Sequence, residues 1–339
     1  MIRWRGCLQV LGALLLAACS AAHSEPVNEP SASPTAVSAK PRPAPELKLL
    51  RDNATLPMGT GLVGDGDTLY FVSGDKLMAM SLTSNQTHIV KEDTLNSLII
   101  ATHLSGYGGF AYWSDPELGL VQLRLSDGDV RVMDPSTSVG PVVADASGVY
   151  GCSRQGLLRY AQDGTRTVVS PLPCRWGPQA LALSAHYVWM ITNEAEPRAV
   201  RVDKQSGAVT RSLPLPKASR PDDEWVASLD ASSDEVAVVD WSAPNGPTSV
   251  LLWDGAVTPL FQGPGRINDL CNIVVDGVFA YFTVMSADPE NTQTLYRVEL
   301  KTLERTEIGP LDEGYEVVLH RGTVFFLGHV SGRIWRLVQ

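Results

Sequence analysis

The chain has 339 residues, 44% of them hydrophobic, with 27 Lys and Arg against 37 Asp and Glu, a net charge of −10. No Lys/Arg cluster offers a phosphate footprint, which excludes nucleic acid as a partner. No apolar run beyond residue 46 is long enough to span a bilayer, yet the aliphatic and aromatic content is ample for a core.

In chain order, the first element is a leader. Arg3 and Arg5 precede an apolar stretch, Leu8 to Ala18, that is too short for a membrane helix and ends in Leu16-Ala17-Ala18-Cys19. This ending resembles the bacterial lipobox. The resemblance implies that residues 1–18 are removed as a lipoprotein signal peptide and that Cys19 is lipidated, anchoring the chain to a membrane. Ser20 stands where an inner-membrane retention signal would have Asp. In a cell with two membranes this points to the outer one, facing the periplasm or the surface. Residues 19–46 then form a tether. Pro26, Pro30, Pro34, Pro41, Pro43 and Pro45 lie among Ala, Ser and Val without apolar periodicity, so the segment cannot order itself. As a coil it reaches roughly 30 Å.

Residues 47–339 carry a repeat of about 40 residues. Its most regular part is a short apolar stretch: Leu69–Ser73, Phe110–Ser114, Val149–Ser153, Tyr187–Ile191, Val236–Asp240, Phe279–Thr283 and Val324–Gly328. A Gly/Ser/Asp turn precedes each. A strand with apolar/polar alternation follows each, as in Gly119–Leu125, and then a weaker outer strand such as Asp129–Met133. A stretch apolar at every position is buried on both faces, and an alternating one lies nearer solvent. Four strands per unit, with hydrophobicity falling outward, predict an all-β fold: a seven-bladed β-propeller of four-stranded antiparallel blades. The last repeat stops at its third strand, and Leu47–Arg51 precedes the first repeat as an orphan apolar segment. The expectation is that this N-terminal strand closes the ring by completing the last blade.

Tyr112-Trp113-Ser114-Asp115, the alternating strand after it, and Asp127-Gly128 resemble the YWTD repeat of YWTD/NHL-like propellers. The other repeats keep the pattern without the letters. YWTD domains usually have six blades, against the seven counted here. The resemblance implies architecture and carries no functional residues.

Several motifs have a simpler reading. Gly59-Thr60-Gly61-Leu62-Val63-Gly64 matches GxGxxG but runs into a turn and a strand, where a dinucleotide site needs a helix N-terminus; it reads as a Gly-rich inner strand. Asp65-Gly66-Asp67 lacks the further ligands of a calcium loop and reads as a hairpin turn. The His residues share no repeat position, so no metal and no cofactor is implied. Trp113 and Trp189 read as packing residues. Of Cys152, Cys174 and Cys271, an oxidising compartment permits one pair to bridge. The alternatives are Cys152–Cys174, assigned to one blade, and three free thiols.

The candidate site lies on the face built by the loops that lead into each innermost strand. Arg175, Trp176, Asp223, Trp225, Arg266, Asp269, Tyr315 and Glu316 fall in four such loops, and aromatic and Arg anchors are enriched at binding hot spots. The expected function is capture of a protein, peptide or glycan partner in the cell envelope. The alternatives are a propeller enzyme of lyase, lactonase or dehydrogenase type acting at the channel mouth, with Asp223, Asp269 or Glu316 as acids, and a structural module of an envelope complex.

Overall fold

The computed structural model describes residues 45–51, 59–73, 76–92, 104–115, 117–135, 139–175, 179–215, 226–242, 248–263, 273–285, 293–311, 315–328 and 332–338. They form seven four-stranded antiparallel sheets, the blades of a propeller. The innermost strands of blades 1 to 7 are Gly59–Asp65, Ser105–Tyr107, Val142–Asp145, Leu181–Leu183, Val226–Ala231, Ile273–Val275 and Tyr315–His320. Each touches the innermost strand of the next blade, and blade 7 returns to blade 1.

Closure is by the N-terminal strand Glu46–Arg51. It pairs antiparallel with Ile334–Val338, the third strand of blade 7, with Leu47 opposite Leu337 and Lys48 opposite Arg336. The first and last described segments thus share one sheet, as the truncated last repeat implies.

Burial explains the repeat. Second strands such as Gly148–Ser153 and Thr323–Gly328 are buried at every position after the first, because a neighbouring blade covers each face. Third strands differ from expectation. Their alternation does not mark solvent: Gly119–Arg124 is buried at all but its last residue. The polar positions are absorbed by side chains on the adjacent strand of the same blade instead. Gln122 donates to the Tyr112 hydroxyl at 3.2 Å, and the Arg201 guanidinium lies 4.1 Å from the Tyr187 ring centre, where the ring face attracts a cation. Only the outermost strands, such as Arg166–Ser170 and Val209–Pro214, are largely exposed.

One apolar cluster fills each seam between blades. Trp113 lies in the seam of blades 1 and 2. Trp189 meets Trp253 edge to face across the seam of blades 4 and 5, with ring centres 5.3 Å apart. Both Trp113 and Trp189 are packing residues, as their place in apolar strands implies.

Two local devices recur. The pairing of third and outermost strands slips by one residue in every blade, for example between Leu157 and Leu158, Arg201 and Val202, and Leu49 and Arg51. Such bulges twist an edge strand out of line and blunt it against further pairing. The turn between those strands places Asn85, Gly128, Gly207 and Leu303 at corresponding points with φ between 57° and 72°. Each donates its N–H to the carbonyl four residues back.

Candidate functional site

The ring leaves a cavity of about 380 Å³ on its axis. All seven innermost strands line it, mostly with aliphatic side chains such as Val63, Leu104, Val143, Leu181, Leu229 and Ile273. The lining runs to the ends of these strands, at Gly64, Ala144, Ala231 and His320, and so toward the hairpin turns rather than the long loops. His320 donates through Nε2 to the Gly66 carbonyl at 2.8 Å, and its ring fills the space a side chain at Gly64 would need.

An innermost strand has a free edge, and its backbone N–H groups need acceptors. Side chains of a neighbouring blade supply them. Ser105 Oγ accepts from Ala144 N at 2.9 Å, joining blades 2 and 3. Gln179, just before the innermost strand of blade 4, accepts from Leu229 N through its backbone carbonyl at 2.9 Å and from Ile273 N through Oε1 at 3.4 Å. One residue thereby ties blades 4, 5 and 6. Asp230 accepts from Val275 N at 2.8 Å across the seam of blades 5 and 6, and from Ala231 N at 2.8 Å on its own strand.

Glu316 does the same at the closing seam, where its carboxylate takes the N–H groups of Gly61 and Leu62. A bulge presents them. Thr60 pairs with Val72 and Leu62 with Phe71, leaving Gly61 unpaired at φ 68°. A Cβ at Gly61 would lie 2.5 Å from Leu104. The GxGxxG segment is therefore an inner strand whose middle glycine serves a carboxylate of its own chain. Asp65-Gly66-Asp67 is the following turn, which Arg321 reaches through Asp67.

Three carboxyls are strongly perturbed. Burial pushes Glu316, Asp230 and Asp240 up to about 7 each, against the backbone hydrogen bonds that lower them. Asp240, on the second strand of blade 5, accepts from Ser228 N at 2.8 Å and Ser228 Oγ at 2.9 Å. Glu316 Oε2 is buried with no hydrogen-bond partner among the described residues. Asp234 moves the opposite way, to about 2: its hydrogen bonds with His186 outweigh burial. Among the described residues no three His, Cys, Asp or Glu side chains form a metal-binding group.

Of the eight residues proposed from sequence, Trp176, Asp223, Trp225, Arg266 and Asp269 lie outside the described residues, as do Cys19 and Cys271. Tyr315 begins the innermost strand of blade 7, opposite Gly328. Glu316 is 4% exposed and belongs to the seam rather than to the loop surface. Arg175 is half-buried on the loop side, with its N–H donating to Ile191 O at 2.8 Å. It adjoins the disulfide Cys152–Cys174. That bridge is not internal to one blade. Cys174 pairs as an isolated bridge with Thr192, at the end of the second strand of blade 4, so the disulfide staples blade 3 to blade 4.

Ring, closure and axial cavity define a seven-bladed β-propeller. No protein-family model and no curated protein matches the chain. Solved structures match its fold. The N-terminal domain of Nup159 is 12% identical, with 87% of this chain and 95% of that one covered and a TM-score of 0.57. The Kuenenia stuttgartiensis hydrazine synthase is 11% identical, covering 85% and 97%, with a TM-score of 0.57. The oligogalacturonate lyase of Vibrio parahaemolyticus is 12% identical, covering 86% and 93%, with a TM-score of 0.51. At such identities the likeness is one of fold alone.

Proposed function

We propose that this propeller is a binding scaffold of the bacterial cell envelope, anchored by lipid at Cys19 and capturing a protein, peptide or glycan on its loop face. The observation that carries this reading is how the inner-strand acids are used. Asp230 and Glu316 hold the backbone amides of the next blade, which is a structural task. The long loops, with Arg175, Trp176, Asp223, Trp225, Arg266, Asp269 and Tyr315, are left to vary with a partner. The Cys152–Cys174 disulfide supports a compartment outside the cytosol, where such bonds persist.

The test pairs two variants. Cys19→Ala should move the chain from the detergent phase to the aqueous phase, or leave it uncleaved; unchanged partitioning overturns the anchor. The double variant Trp176→Ala, Trp225→Ala should melt like the parent and lose the partner that the parent captures from envelope fractions. Truncating a hot-spot aromatic costs about 2 kcal/mol or more, roughly thirtyfold in affinity. Equal capture of the same partner overturns the loop-face assignment.

A further inference from the structure

We propose that the axial cavity is a ligand site in its own right, taking a small primary ammonium, its charge held by Asp230. This goes beyond the loop-face reading: it concerns the turn-side half of the channel and gives Asp230 a second task beside holding the Val275 amide.

The cavity volume, about 380 Å³, falls within the range of small-molecule sites. Its lining residues are mostly aliphatic, but the surface they leave open is polar and apolar in nearly equal parts. Among the described residues, its titratable lining side chains are Asp230 and His320. His320 is already engaged through Nε2 with Gly66. Asp230 keeps accessible surface although protein packs round it on all sides, and the surface it keeps is that of the cavity it lines.

The charge around Asp230 is predominantly acidic. The elements packed against its strand are the innermost strands of blades 4 and 6 and the second strands of blades 4 and 5. Their described titratable groups are Tyr187 and Asp240. The nearby turns add Asp234, Glu235 and Asp276, with His186 paired to Asp234. The cations of the turn face have acidic partners: Lys204 with Asp145, Arg201 and Arg211 with Glu235, Arg321 with Asp67. Two backbone amides orient the Asp230 carboxyl without neutralising it, and burial leaves it near half protonated at neutral pH. An ammonium in the adjoining space supplies the missing charge. A carboxylate ligand would meet a site of its own sign, and an alcohol would gain only a neutral hydrogen bond.

The test is calorimetric titration of the full chain with n-hexylammonium, n-hexanol and hexanoate. Hexylammonium should bind saturably, at least tenfold more tightly than hexanol, and hexanoate should not bind. Because binding selects ionised Asp230, affinity should be about tenfold weaker at pH 6 than at pH 8. Asp230→Asn should abolish the preference for the ammonium. Ala144→Leu, which fills the cavity from blade 3 and leaves Asp230 in place, should abolish binding of both ligands. Equal affinity for alcohol and ammonium, a flat pH profile, or hexylammonium binding unchanged in Ala144→Leu would each overturn the assignment.

Discussion

The carboxylate of Glu316, in the last blade, is held by the backbone N–H of Gly61, in the first. Gly61 is the unpaired residue of a bulge, so its amide and that of Leu62 turn toward the seam while their neighbours keep the ladder. The ring is thus closed twice: at the rim by Glu46–Arg51 on the third strand of blade 7, and near the axis by this carboxylate. Asp230 repeats the device between blades 5 and 6.

Because Glu316, Asp230 and Asp240 titrate near 7 in the folded chain and near 4 when unfolded, the native state binds more protons between those values. The stability they contribute is fully present below about pH 4 and is lost as pH rises through 7. Asp234, lowered to about 2, contributes stability that is lost only as pH falls through that value. Melting temperature should therefore fall from pH 5 to pH 8, with a shallower slope in Glu316→Gln. A melting temperature that rises over that range would contradict the burial of these acids.

Deleting residues 46–51 should destabilise the whole ring. The strand covers the edge of Ile334–Val338 and packs Leu47 and Leu50 against the clusters on either side of blade 7. The expected result is a single cooperative transition lowered by at least several degrees, read by circular dichroism. A melt identical to that of the full chain would mean that the rim closure carries no stability.

Leu303 occupies the turn position where the corresponding blades have Asn85, Gly128 and Gly207, and it does so at φ 61°. A left-handed conformation costs a branched side chain about 1–2 kcal/mol, and Leu303 is 43% exposed, so little packing offsets it. Leu303→Asn or Leu303→Gly should stabilise the protein by about 0.5–1 kcal/mol in urea titrations.

The Cys152–Cys174 bridge closes a sequence separation of 22 residues. Restricting the unfolded chain by a loop of that size contributes about 3 kcal/mol. Cys152→Ser with Cys174→Ser should lower the denaturation midpoint accordingly. Peptide mapping without reduction should recover the two cysteines in one linked peptide pair; a linkage to Cys271 would refute the pairing.

The sequence alone determined the repeat, the seven blades, the four strands in each and the closure by an N-terminal strand. These follow from the regular recurrence of fully apolar stretches and from a last repeat one strand short, both of which are local or additive along the chain. It also marked Gly59–Gly64 as an inner strand rather than a nucleotide loop, since no helix follows. The partners of Glu316, Asp230 and Gln179 were not legible, because they come from other blades. Gln122 and Arg201 look solvent-facing by alternation and are buried only because a neighbouring blade covers them. Glu316 sits among loop residues in the sequence, yet a bulge 255 positions earlier, at Gly61, draws it into the seam. Cys174 follows the outer strand of blade 3 but lies against blade 4. The free edges of seven strands meeting on one axis need acceptors. Which side chains supply them depends on which residues stand opposite across a seam, and only the closed ring decides that.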